Sequence, residues 1–196
     1  MEPYFYTSHL AGLLLLTTTG AWAMMEAAQR SQPPRQAATR IGGIRFRLAA
    51  LGFLIASIAV VNLAGRVAPG ATIRPGAVAF AAGLTILLAG LVLRGWSFKT
   101  LGQYFTHTVM VSADQPVIAT GPYRVLRHPG YTGLLLAAAG FGLAAANWAG
   151  LGGVLLLTLT PLLWRIHIEE AALLGTLGGR YRGYAAAHKR LVPFVW

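Results

Sequence analysis

Apolar residues gather in five long runs, at about 4–25, 44–64, 76–96, 130–146 and 148–168, and polar residues collect between them. A bilayer core about 30 Å thick takes about 20 apolar residues per helix, so each run is near spanning length once tilt is allowed. The pattern predicts an all-α integral membrane protein of five transmembrane helices, with residues 1–196 forming a single transmembrane domain. The first linker, Glu26 to Gly43, holds Pro33-Pro34 and scattered arginines and reads as an irregular surface segment. The second, Gly65 to Pro75, is a short turn. The third, Ser97 to His128, is the longest, with a strand-like alternation at Thr108–Ser112 and a turn at Ala113–Pro116. A connection of that length is uncommon unless it is functional. Asn147 alone separates the fourth and fifth runs and marks a tight helical hairpin. Pro161 lies inside the fifth run and is expected to kink it, with Thr158 and Thr160 available to freed backbone groups. A polar, helical tail follows from Ala171 to Lys189.

Charge gives the runs an orientation. With five spans, fourteen basic residues fall on one side of the membrane and two on the other, so the N-terminus is expected outside and the C-terminus inside. Trp22, Trp96 and Trp164 then lie near the inner interface, and Tyr4, Tyr6 and Trp148 near the outer one. The first run could also be read as a cleaved signal peptide ending at Ala21-Trp22-Ala23, but its leading residues carry Glu2 and no basic residue.

Composition agrees with lipid. Hydrophobic residues make up 56% of the 196 and charged ones 11%, against roughly 25% in soluble domains. The net charge of +11 is dispersed between apolar runs rather than gathered in one patch, so it reports topology and not nucleic-acid binding. The chain has no cysteine, which excludes disulfides, zinc-thiolate sites and thiol nucleophiles. Its many Arg, Ala and Gly residues suggest a GC-rich bacterial gene and therefore a bacterial cytoplasmic membrane.

Five spans put the third linker and the tail on one face, and these segments hold the unusual polar residues. Arg127 and His128 precede Pro129, which suits the first turn of the fourth helix, so both sit where free N–H groups and the helix dipole favour an anion such as a carboxylate. Arg124 and Arg127 could equally meet lipid headgroups, and His128 could simply cap the helix. Arg-His-Pro-x-Tyr-x-Gly as a unit at 127–133 favours function. The second cluster is Arg165-Ile166-His167-Ile168-Glu169-Glu170 at the inner end of the fifth run. Ionisable groups at membrane depth are costly and normally pair or mark function. Arg165 and Glu169 share a helix face, whereas Glu170 is rotated about 100° from its neighbour, so the two glutamates need different partners. An Arg165–Glu169 pair is the structural alternative, worth only about 0.2–0.5 kcal/mol, and it does not account for Glu170.

These motifs resemble the isoprenylcysteine carboxyl methyltransferase family, within a wider group that includes phospholipid methyltransferases. The resemblance runs over 101–194. Its marks are Leu-Gly-x-Tyr-Phe-Thr at 101–106, Gly-Pro-Tyr-Arg at 121–124, the Arg-His-Pro unit, Arg-x-x-x-Glu-Glu at 165–170, and Tyr181, Tyr184, Arg190 and Pro193. It implies S-adenosylmethionine as cofactor, held between the Arg-His-Pro and Glu-Glu segments under a helical lid made by the tail. Gln103, Gly121, Pro122, Tyr123, Arg127, His128, Pro129, Tyr131, Glu169 and Tyr181 are the implied cofactor-binding residues, and Arg165 and Glu170 the catalytic ones. Tyr123, Tyr131 or Tyr181 can face the sulfonium by cation–π contact.

The resemblance implies methyl transfer to a lipophilic acceptor at the cytoplasmic face. For a carboxylate acceptor, Arg165 orients it and Glu170 holds Arg165. For a lipid amine, Glu170 takes the proton instead. Arg165 makes the carboxylate the preferred acceptor. A sterol-reductase-like enzyme using NADPH and a small scaffold or transporter subunit stay open. The expected partners are the bilayer and a lipophilic small molecule, with no nucleic acid, no metal and no obligatory protein partner.

Overall fold

The computed structural model describes residues 8–29, 41–105, 111–193 and 196. Tyr4, Tyr6, Pro33-Pro34, Thr106 and most of the Thr108–Ser112 alternation lie outside these. The described residues form helices α1 (His9–Gln29), α2 (Ile41–Val67), α3 (Gly76–Leu101), α4 (Pro129–Ala144), α5 (Trp148–Leu177) and α6 (Gly179–Ala187), with short 3₁₀ turns at Pro69–Ala71, Gly102–Tyr104 and Gly121–Arg124. Among the described residues there is no strand, only the isolated bridges Thr72–Asn147 and Leu126–Lys189.

Each apolar run therefore lies on a helix, but the ends differ from the expectation. The first helix runs on to Gln29 and the third to Leu101, so Glu26 and Lys99, expected on linkers, lie within helices. Gly178, at φ 55°, ends α5 nine residues beyond the expected boundary at 168, because Glu169 and Glu170 do not break the helix and the Ala and Leu residues after them continue it. By length and apolarity, Gly76–Tyr104 and Trp148–Leu177 can cross a membrane, and Leu51–Val67 and Pro129–Ala144 are shorter apolar helices. Pro161 sits within a continuous α5. Thr158 and Thr160 do not serve the carbonyl it frees; each hydroxyl donates to its own i−4 carbonyl, at Val154 (2.7 Å) and Leu156 (2.9 Å).

The tightest packing joins α3 to α4. A Cβ added to Gly140 would lie 2.3 Å from the backbone nitrogen of Leu87, and one added to Gly90 would lie 2.5 Å from that of Ala137. Gly83 and Gly133 meet the facing backbone in the same way. Small residues let helices approach closely where lipid supplies no hydrophobic drive between them. Ala11 and Leu15 of α1, Val61 of α2, Leu87 of α3, Ala138 and Phe141 of α4 and Val154 of α5 join one buried cluster. Leu10, Leu51, Val92, Leu156 and Trp164 point outward.

The loops sort to two ends. At one, Asn147 is buried; it accepts from the Gly150 N–H at 3.0 Å as the N-cap of α5 and donates to the Ala68 carbonyl at 3.0 Å. Ile73 N–H donates to the Ala146 carbonyl at 2.7 Å, so the second linker and the hairpin tip meet there. At the other end the third linker meets the tail. Arg127 and His128 donate their backbone N–H groups to the carbonyls of Lys189 (2.7 Å) and Arg190 (3.1 Å).

Candidate active site

The site forms where the start of α4, the end of α5 and the tail converge. His128 is the N-cap residue of α4 and Pro129 its first helical residue. The His128 carbonyl accepts from the N–H groups of Tyr131 and Thr132, while the strap Lys189–Leu191 takes the donors of Arg127, His128 and the Thr132 hydroxyl. The segment is thus held from both sides before any ligand is considered.

Glu170 comes from α5 into the middle of two arginines and a histidine. Its Oε1 meets Arg127 Nη1 at 2.7 Å and His128 Nε2 at 3.1 Å, and its Oε2 meets Arg190 Nη2 at 2.9 Å. The anion that pairs with Arg127 and His128 is therefore the protein's own carboxylate. The expectation that Glu170 holds Arg165 is not met. Arg165 Nε donates to the Tyr131 hydroxyl at 2.7 Å, and that hydroxyl donates to Glu169 Oε2 at 2.7 Å. The two glutamates take different partners because adjacent positions on a helix diverge by about 100°.

The tail supplies a third layer. Tyr184 donates to the Tyr123 carbonyl at 2.8 Å, and the His188 ring stacks on it at 4.2 Å. Burial pushes the Tyr184 phenol up to about 12, with Arg127 opposing. Burial likewise raises Tyr181, aided by the charge of Glu170, and raises Tyr123, aided by Glu169. All three stay neutral hydrogen-bonding groups in neutral solution.

Between these layers lies an open cavity of about 960 Å³, counting the part that communicates with solvent. Arg127, His128, Tyr131, Arg165, Glu169 and Tyr181 form its polar wall, and Phe98, Leu101, Phe105, Leu173 and Leu177 much of its apolar one. Arg127 Nε and Tyr181 Oη are buried beside it with no hydrogen-bond partner. Such orphaned donors are rare and call for an acceptor.

Of the residues expected from sequence, Tyr123, Arg127, His128, Tyr131, Arg165, Glu169 and Tyr181 reach the cavity wall. Gly121 and Pro122 instead build the 3₁₀ turn that places Tyr123, and Gly121 needs its positive φ of 55° there. Pro129 is buried, Gln103 is exposed, and Glu170 stands behind Arg127 and His128. The sequence reading missed Arg94, which lines the cavity, although a charge inside an apolar run was a visible signal. Tyr184 and Arg190 were marked in the sequence only by the resemblance, yet Tyr184 binds the linker and Arg190 closes the Glu170 cluster.

Comparison with known proteins agrees with the motifs. Residues 82–175 match the isoprenylcysteine carboxyl methyltransferase (ICMT) family. A probable protein-S-isoprenylcysteine O-methyltransferase of Oryza sativa is 32% identical over 58% of this chain and 60% of its own. The Arabidopsis thaliana protein-S-isoprenylcysteine O-methyltransferase B is 29% identical over 58% of each. The chain thus spans about three fifths of the length of these relatives. They are plant proteins and lend no support to the bacterial origin suggested by composition. The solved structure of a eukaryotic intramembrane Ras methyltransferase, ICMT, superposes with a TM-score of 0.59 at 25% identity, covering 77% of this chain and 53% of that one. The fold is therefore that of an all-helical integral membrane protein. The resemblance read from the motifs holds: from residue 82 to residue 175 the chain matches the isoprenylcysteine carboxyl methyltransferase family.

Proposed function

We propose that the chain is a methyltransferase that esterifies a carboxylate on a lipophilic acceptor of the isoprenylcysteine kind, with S-adenosylmethionine as methyl donor, at the cytoplasmic face of a membrane. The observation that carries the proposal is the cavity, where buried donors without partners stand beside an apolar wall on helices of membrane-spanning character. The donor set suits the cofactor. Arg127 Nε and Tyr181 Oη can take its amino-acid carboxylate, and Glu169 can take its ammonium or ribose hydroxyls. Tyr123, Tyr131 and Tyr181 offer electron-rich faces for a sulfonium.

When bound, S-adenosylmethionine supplies an electrophilic methyl group. The protein's task is then to orient the acceptor and keep water out. Arg165 presents a guanidinium at the cavity wall, which favours an anionic acceptor over an amine. A carboxylate acceptor has no proton to lose, so no base is required. Tyr131 links Arg165 to Glu169 and so fixes the guanidinium at a cavity wall. The apolar wall of Phe98, Phe105, Leu173 and Leu177 suits a prenyl or similar chain. The charge sorting supports a cytoplasmic site, since fourteen of the sixteen basic residues fall on the side expected to hold the third linker and the tail.

The test uses the full chain in nanodiscs with methyl-labelled S-adenosylmethionine and an S-prenylcysteine acceptor. Label that enters the lipid fraction and is released by alkali as methanol marks an ester. Alkali-stable label would indicate N-methylation instead. Failure to bind S-adenosylhomocysteine, or binding of NADPH in its place, would overturn the proposal.

A further inference from the structure

A second buried charge cluster lies beside the cavity, and neither the motifs nor the chemistry above uses it. Glu26 of α1 and Arg94 of α3 are 8% and 7% exposed, and Arg94 Nε donates to Glu26 Oε1. Trp22, one turn before Glu26, donates its indole N–H to the same oxygen at 3.2 Å. Arg94 then turns Nη1 to the Gly130 carbonyl at 2.8 Å, and its guanidinium covers the Phe98 ring at 4.6 Å. Gly130 belongs to the first turn of α4, between His128 and Tyr131. Arg94 lines the cavity; Glu26 does not.

For stability alone this arrangement is a poor choice. Replacing a buried ion pair by apolar residues of similar size is often neutral or stabilising, and charge within an apolar helix is costlier still. Glu26 Oε2 also stays buried without a partner, so even the pairing is incomplete. What the pair does achieve is mechanical. It ties α1 to the backbone turn that carries His128 and Tyr131, and through the Tyr131 hydroxyl to Glu169 and Arg165. Glu26 lies outside the segment 82–175 that matches the family.

We propose that Glu26 and Arg94 are a positioning pair: Glu26 aims the Arg94 guanidinium, and Arg94 holds the first turn of α4 in the register that the cavity needs. The first helix is then part of the site's machinery although, among the described residues, it lines none of the cavity. The inference rests on the cavity being the reaction site, and two readouts keep the two claims apart.

The first readout needs no cofactor. The chain lacks cysteine, so Gly130→Cys gives a single thiol on the held turn, and the added Cβ meets only Ser97 Cβ at an ordinary 3.5 Å. Its labelling by a water-soluble maleimide is expected to rise at least fivefold when Glu26→Gln is added, because the turn loses its tether. The second readout is turnover in the cysteine-free background, where Glu26→Gln is expected to lower kcat at least tenfold. Glu26→Leu/Arg94→Leu removes both charges and is expected to keep the wild-type thermal midpoint within a few degrees while showing the same rise in labelling and fall in kcat. A double variant with wild-type labelling and wild-type turnover would make the pair merely structural and overturn the proposal. If the wild-type chain transfers no methyl group, the methyltransferase reading fails, and the labelling comparison alone decides the positioning role, unchanged labelling refuting it.

Discussion

Gly140→Ala is the sharpest single test of the helix seam that carries the cavity. The new Cβ would stand 2.3 Å from Leu87 N, 2.5 Å from the Gly83 carbonyl oxygen and 2.7 Å from Leu87 Cα. All three are backbone atoms of α3, so no rotamer change can relieve them. Relief to ordinary contact needs the two helices to part by about 1 Å, which at native packing density opens voids along the seam. Overpacking of this kind costs typically about 1–3 kcal/mol. Alanine's better helix propensity returns less than about 1 kcal/mol. The net expectation is a destabilisation of about 1–2 kcal/mol. The control is Gly152→Ala in α5, where nothing lies within 4 Å of the added Cβ and the propensity gain stands alone. Thermal unfolding of both variants in nanodiscs, beside wild type, reads the difference. Gly83→Ala opposes the same contact, so its combination with Gly140→Ala should depart from additivity. A Gly140→Ala midpoint equal to that of Gly152→Ala would refute the close seam.

Other substitutions separate the layers of the site. Glu170→Gln leaves Arg127, His128 and Arg190 around a neutral amide, and it is expected to weaken S-adenosylhomocysteine binding at least tenfold by calorimetry. Arg165→Lys keeps the charge but loses the planar fork that meets Tyr131, so turnover is expected to fall about a hundredfold with nearly unchanged S-adenosylhomocysteine affinity. Tyr131→Phe removes the hydroxyl between Arg165 and Glu169 and should reproduce that fall, with the double variant little worse than either single one. Tyr184 titrates near 12 in the fold against about 10 when unfolded, so its contribution is intact below pH 10 and lost as the pH rises from there towards 12. Unfolding midpoints from pH 9 to 12 should therefore decline less in Tyr184→Phe than in wild type. Single cysteines at Gly70 and Lys189 are expected to be labelled from opposite sides of the membrane, and same-side labelling would remove the proposed topology.

Much of this was legible from the sequence because lipid imposes a long, simple signal. Each apolar run lies on a helix, and the one-residue polar break at Asn147 is a buried N-cap. The helix ends were less legible, since hydropathy marks where lipid stops and not where backbone hydrogen bonding stops. Arg165, His167, Glu169 and Glu170 are polar yet remain inside α5, which ends only at Gly178. Glu26 and Arg94 show the complementary failure. The run boundaries put Glu26 at the start of the first linker and left Arg94 as a lone charge inside the third run, but two opposite charges on different helices can cancel in the interior, and no local pattern reports that pairing. The adjacent glutamates were rightly expected to diverge, yet which cation each would find depended on the tail's return to α4. Arg190 lies 20 residues after Glu170 and reaches it only through that return.

The strap from Lys189 to Leu191 sets an order for making the protein. Synthesis runs from the N-terminus, so every apolar helix emerges and can enter the membrane before the strap exists. Until then the Arg127 and His128 N–H groups lack the carbonyls of Lys189 and Arg190, and Glu170 lacks its Arg190 partner. The candidate site is therefore finished last, after the scaffold is in lipid, and a nascent chain stalled before Lys189 holds the apolar helices but not the completed Glu170 cluster.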